Sequence, residues 1–222
     1  MNNNQSTLKL GFWSAIISLS TFIAYVICFA GILSTSEVFL WSNYENYLEY
    51  INENNQLFKH LAQFCMLIFG ISYLIIIASL VELAENGKRI LANLSLYFAI
   101  IFVAFISLHY FIQISTVRLQ LSNGDTEGLL QFIQGNPISA SSSINMLGWT
   151  IFFGLSCLFI VPIFEKEKLI RIAFLVNGIS CLTGGVSFIF QIDIITLICM
   201  NMVMGVAVIL FSIGLIKYFK NI

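Results

Sequence analysis

An all-α membrane bundle of six transmembrane helices is the fold this sequence predicts, with both termini cytoplasmic and two short amphipathic helices in the external loops. Three observations lead there. Apolar runs fill positions 10–33, 61–83, 91–115, 144–164, 169–192 and 194–219. Each approaches or exceeds the roughly 20 residues a helix needs to cross about 30 Å of hydrocarbon. In lipid the backbone must satisfy its own polar groups, so such runs are helices. Composition agrees: 59% of the 222 residues are hydrophobic and 9% charged, with mean hydropathy +0.92. A soluble domain carries about 25% charged residues. Charge placement is the third observation. With a cytoplasmic N-terminus, Lys9, Lys88, Arg89, Lys166, Lys168, Arg171, Lys217 and Lys220 lie inside, and only Lys59 and Arg118 lie outside. That asymmetry sets the orientation. Residues 1–222 form a single membrane domain.

The N-terminal Met1–Thr7 is polar and expected to be disordered. Lys9, the apolar run and Cys28-Phe29-Ala30 loosely mimic a signal peptide, but the run is too long for its core, so the first helix is expected to be retained. In the loop that follows, Leu40, Tyr44, Tyr47, Leu48 and Ile51 recur at helical spacing, with Glu45, Glu49 and Glu53 on another face. Trp41, Tyr44, Tyr47 and Tyr50 favour the headgroup level, which predicts an interfacial helix within 37–53. Glu85–Arg89 is a short inner loop in which Gly87 suits a helix stop, and Glu82 is placed to pair with Lys88 or Arg89.

The second external loop opens with Asp125 and Glu127, continues with Leu129, Leu130, Phe132 and Ile133, and closes on Gly135-Asn136-Pro137. These start and stop signals predict a second cap helix. Ser139–Ser143 is expected to be a flexible return, with Ser143 capping the fourth helix. Pro162 falls near the inner end of that helix, where it is expected to kink the last turn. Only Gln191-Ile192-Asp193 joins the last two helices, which must form a tight hairpin. Gly154–Leu158 and Gly178–Leu182 look alike, but they lie on oppositely directed helices, so chance similarity is preferred over duplication.

Two groups of residues have the chemistry to form a site. On helix 5, Asn177, Ser180, Gly184, Ser187 and Gln191 alternate steps of three and four, which places them on one face. Small and polar seams pack membrane helices, and the first four read as such a seam; a ligand path is the alternative. On helix 3, His109 and Gln113 lie one turn apart and below the outer boundary. An intramembrane ionisable residue is a functional candidate by default, although a neutral imidazole bonded between helices explains it too. Gln63, Asn145, Trp149, Gln191 and Asn201 fall in the same outer half, and Arg118 and Asp193 near its mouth are placed to pair. Together these predict an outward-facing polar cavity centred on His109 and lidded by the loop helices. The inner half is expected to be poorer in buried polar groups.

Sharper chemistry finds no motif. The sequence has no HExxH, Walker or GxGxxG pattern and no paired aspartates. His60 and His109 fall short of a metal cluster, and the five cysteines all lie in apolar runs without CxxC spacing. No catalytic residue, metal or cofactor is therefore assigned, and a net charge of −1 argues against nucleic acid. The long loop after helix 1, the helical loop before helix 4 and the Leu158-Phe159-Ile160-Val161-Pro162 ending resemble small multi-helix membrane proteins of bacteria that carry no assigned function. The resemblance implies the fold alone. The expected location is a bacterial cytoplasmic membrane. The expected function is a binding, regulatory or accessory subunit, its partners being the bilayer and a membrane protein or a second copy. A carrier using the polar cavity is the alternative, followed by a lipid-modifying enzyme.

Overall fold

The structure, a computed structural model, describes residues 3–36, 39–124 and 126–221. Met1, Asn2, Glu37 and Asp125, each used in the expectations above, lie outside the described residues. Among those described, six helices are long and apolar enough to cross a membrane. They are α1 (Asn3–Thr35), α3 (Leu57–Leu83), α4 (Asn86–Asn123), α5 (Ala140–Ile163), α6 (Lys168–Ile189) and α7 (Asp193–Asn221). A shorter helix, α2 (Tyr44–Glu53), occupies the first long loop, capped by Asn43 Oδ1 accepting the Asn46 N–H at 2.9 Å. No strand occurs among the described residues.

Several boundaries depart from expectation for physical reasons. The polar lead is helical from Asn3, because adding residues to an existing helix carries no nucleation cost. Gly87 lies inside the 3₁₀ turn that opens α4, and α3 stops earlier, where Ala84 turns extended. Among its described residues the second loop forms no cap helix. Gly128 is left-handed at φ 74°, which interrupts helical propagation, and only the 3₁₀ turn Leu129–Gln131 follows. Ser139–Ser143 is no flexible return. Ser139 caps α5 in place of Ser143, its Oγ accepting the Ser142 N–H at 3.1 Å. Pro162 sits in a closing 3₁₀ turn, Val161–Ile163.

Each long helix packs on its sequence neighbours, and α7 returns to α1 to close a ring. We call the end carrying α2 the α2 side, and the opposite end the far side. On the far side Gly11 lies so close to α7 that an added Cβ would meet the Phe219 ring at 2.5 Å. The α1–α7 contact concentrates in Met204–Asn221. At Gly205 an added Cβ would meet only Phe22, at 3.9 Å. The two lookalike segments meet where α5 crosses α6. A Cβ on Gly178 would stand 2.5 Å from Leu158 and 2.9 Å from the Gly154 carbonyl. Close approach at a crossing thus accounts for both glycines.

An aromatic column fills the ring. Ring centroids run from Trp149 to Phe102 (4.9 Å), Phe153 (4.7 Å), Tyr73 (4.9 Å) and Phe211 (6.4 Å). They continue to Phe174 (4.4 Å), Phe164 (5.7 Å) and Tyr218 (5.4 Å). Small polar groups are threaded into it, more than expected there. The Tyr73 hydroxyl meets Ser156 Oγ at 2.8 Å, Ser95 Oγ donates to the Ser156 carbonyl at 2.7 Å, and Asn177 Nδ2 donates to Cys157 Sγ at 3.1 Å. At the far-side rim Lys88 pairs with Glu165 (3.2 Å) and Glu85 (3.7 Å) rather than with Glu82.

Candidate functional site

The helical rise and the 3.6-residue period bring His109 and Gln113 onto the inner face of α4, where both are buried. The start of α5 meets them. His109 Nδ1 lies 3.0 Å from the Ser141 carbonyl and 2.9 Å from Ser141 Oγ. A carbonyl only accepts, so Nδ1 carries a proton, and in the neutral imidazole Nε2 presents a lone pair. That Nε2 is buried and has no hydrogen-bond partner among the described residues. Gln113 Nε2 donates to the same Ser141 Oγ at 3.1 Å and to the Phe132 carbonyl, and its Oε1 accepts the Gln134 N–H at 3.2 Å.

Gln134 connects this cluster to α3. Its Oε1 accepts from Gln63 Nε2 at 2.8 Å, and Gln63 Oε1 lies 3.3 Å from His60 Nδ1. A continuous polar layer therefore runs from α5 through α4 and the loop residues 126–139 to the start of α3. The loop that was expected to be a helical lid inserts into the layer instead. Its 3₁₀ turn and the Gly135-Asn136-Pro137 corner are tied down by buried Ser139 and Ser142, whose hydroxyls donate to the Ile133 carbonyl at 2.9 Å and the Asn136 carbonyl at 2.8 Å.

Three cavities border the layer. One of about 230 Å³ lies between α1, α5 and α7 and is lined by Asn145, Trp149, Asn201, Thr196, Gln134 and Tyr110, among others. Trp149 Nε1 donates to the Tyr110 hydroxyl at 3.3 Å, while Asn145 Oδ1 is buried without a partner among the described residues. A second, of about 200 Å³, lies between α2, α3 and α4 and holds Lys59, His60, Gln63, Gln113 and Arg118. A third, of about 360 Å³, opens between α1, α2 and α3 and is bordered by Lys59, Gln63 and Gln134 with aromatic and aliphatic walls. Lys59 separates the last two. Its ammonium donates to the Tyr47 hydroxyl at 3.0 Å and lies 5.3 Å from that ring's centroid. The two distances place it beyond the oxygen rather than over the ring face, so the contact is a hydrogen bond and not a cation–π contact. Burial, with the neighbouring phenols Tyr44 and Tyr50, pushes the Tyr47 phenol above its ordinary pKa and keeps it protonated at neutral pH.

The structure brings Gln63, His109 and Gln113 into one bonded network and places Asn145, Trp149 and Asn201 around the adjoining cavity. It keeps Gln191 and Asp193 apart from both. Both residues are exposed, Gln191 on the α6–α7 turn at a left-handed φ of 57° and Asp193 at the first position of α7. Arg118 does not pair with Asp193; its Nε donates to the Ile114 carbonyl at 2.9 Å. On α6, Ser180 Oγ donates to the Cys199 carbonyl at 2.9 Å, Ser187 Oγ meets Thr196 Oγ1 at 2.8 Å, and Gly184 lies against Met200. These three face α7, whereas Asn177 faces α5. Three π-helical turns interrupt the long helices near this level, at Gln113–Val117, Gly148–Phe152 and Ile198–Val203. Each contains a cavity residue with a polar group: Gln113, Trp149 or Asn201. Sequence reasoning missed Gln134, Ser141, Lys59 and His60. Of these only Lys59 carried a signal, as one of two cations breaking the charge asymmetry.

Among the described residues no group of three His, Cys, Asp or Glu is placed to hold a metal ion. Neither a family model, a curated protein nor a solved structure matches the chain. Its chemistry must therefore be read from the geometry alone. Six helices of this length and polarity make it an integral membrane protein.

Proposed function

We propose that this chain is a binding or regulatory membrane subunit that receives a ligand on the α2 side and does not pass it across the bilayer. The aromatic column carries the reading. From Trp149 to Tyr218 it occupies the space between helices, so the polar layer ends blindly against packed rings. Under the positive-inside rule the α2 side is external, because eight of ten Lys and Arg belong to the far side and the termini. A membrane protein or a second copy would be the partner of such a subunit, within the lipid bilayer and without nucleic acid.

A carrier is the second reading. The three π-helical turns favour it, since such turns inside helices recur at functional sites. Reconstitution separates the two. Proteoliposomes are expected to take up no more labelled phosphate or protons than empty vesicles. Saturable uptake that Gln113→Ala abolishes would overturn the binding reading in favour of the carrier. Single-cysteine variants at positions 88 and 168 are expected to label from one side of the bilayer and a variant at 122 from the other; any other pattern removes the assignment of sides.

A further inference from the structure

We infer that the cavity between α2, α3 and α4 binds a phosphate group, carried either by free phosphate or by an anionic lipid. This deepens the binding reading above and rests on it. Cations on an external membrane face run against the positive-inside tendency, and this chain has two there, Lys59 and Arg118. Far apart in sequence, they converge in space. Both line the same cavity with His60, and they are the charged neighbours of that imidazole.

No carboxylate lines the cavity among the described residues. Helix α2 contributes Ile51 and Asn52 to it, while Glu49 and Glu53 border a separate hollow on the helix's other flank. Neither cation makes an ion pair among the described residues, where the ion pairs belong to Lys88 on the far side. Lys59 has only the neutral Tyr47 hydroxyl, and Arg118 commits its Nε to a backbone carbonyl, which leaves the outer guanidinium nitrogens available.

Gathering cations without an acid is unfavourable, and Lys59, half-buried beside the exposed Arg118, is partly withdrawn from water as well. A bound anion reverses that balance. The guanidinium fork suits a phosphate's paired oxygens, the ammonium supplies a point charge, and the Asn52 amide adds neutral donors at the rim. Lys59 also borders the apolar cleft of about 360 Å³ whose walls include Tyr25, Phe29, Ile32 and Leu33. A lipid can lie with its acyl chain in that cleft and its phosphate at Lys59. A free phosphate would use the polar cavity alone.

Two arms on the full-length protein test this. In neutral, phosphate-free detergent, inorganic phosphate is titrated against chloride at equal ionic strength, and the thermal midpoint is followed. In nanodiscs of phosphatidylcholine with and without phosphatidic acid, the lipid that stays bound after extraction is quantified. Phosphate is expected to raise the midpoint, or phosphatidic acid to be retained selectively, since a ligand of the folded state stabilises it by mass action. The Lys59→Gln/Arg118→Gln double variant is expected to bind at least about tenfold more weakly, the worth of one good charged contact. Arg118→Lys should recover part of the loss, and Lys217→Gln on the far side should change nothing. If the double variant does not fold, Arg118→Gln at its exposed position serves alone. Response to phosphate only identifies the free anion, and response to phosphatidic acid only identifies the headgroup. A wild type that distinguishes neither probe from its control, or a double variant that binds like wild type, overturns the proposal. Flux measurements judge the subunit reading separately, so the two failures cannot be confused.

Discussion

The two halves of this bundle draw on the same apolar residues and differ in what occupies the space between the helices. On the far side aromatic rings fill it, from Phe102 and Phe153 down to Phe164 and Tyr218, and α1 touches α7 at Gly11. On the α2 side the helices carry π turns, α1 draws away from α7, and the space holds amides, two imidazoles, two cations and three cavities. Lipid supplies no hydrophobic drive between helices, so association depends on close packing and on bonds between polar groups. The far half uses the first and the α2 half the second. Unfilled space and unpaired polar atoms cost stability, which is what a site for something else requires. Asn145 Oδ1 and His109 Nε2, both buried without partners, lie in the α2 half. Asn145 lines one of the three cavities; His109 lines none of them, nor do Ser18, Ser212 and Asn177, which carry the other unpaired atoms.

Truncating the column is expected to give the largest effect. Phe153 is fully buried against Tyr73, Phe102 and Trp149. Phe153→Ala should cost about 3 kcal/mol or more, measured by denaturant unfolding in detergent. A loss below about 0.5 kcal/mol, the scale of an ordinary surface change, would mean that the far half is not the stable one. Gln113→Leu comes next. It strands the Gln134 N–H, and it removes the bonds to Phe132 and Ser141, for about 2 kcal/mol. Because those bonds tether residues 126–139, limited proteolysis should speed up there while the far-side loops are cleaved at the wild-type rate. Uniform acceleration at both ends would show that the halves are not separable.

How far this contrast was readable in the sequence follows from what each feature depends on. Six spans are legible because twenty apolar residues in lipid have one backbone solution. Helix α2 is legible through its aromatic and acidic spacing. His109 and Gln113 stand out because polar side chains inside an apolar run need partners. Gln134 could not stand out, since it lies in a loop whose polar residues look solvated, and only the fold tucks that loop between helices. The cap helix expected in the same loop failed on one backbone angle, at Gly128. Gln191 shared the seam's period, yet α6 ends at Ile189 and the turn carries Gln191 out of register. The meeting of Lys59 with Arg118 depends on how α3 and α4 pack, which no local pattern encodes.

The smallest expected effect tests the divergence of α1 from α7, and it does so by a difference in sign. Alanine is about 0.8–1.0 kcal/mol better than glycine inside a helix, so Gly→Ala stabilises wherever the Cβ has room. At Gly11 it has none. The Cβ would overlap the Phe219 ring, a side chain only 4% exposed, and relief requires the helices to separate. Overpacking of this kind costs about 1–3 kcal/mol, so Gly11→Ala should destabilise by about 1 kcal/mol net. At Gly205 the nearest neighbour outside the helix stands at ordinary van der Waals distance, 3.9 Å, and Gly205→Ala should gain several tenths of a kcal/mol. Both substitutions lie on the same helix pair, so detergent and protein-wide effects cancel in the comparison. Equal losses at both positions would mean that α1 and α7 stay in contact along their length, and the cavity containing Asn145 and Asn201 would then have no opening between them.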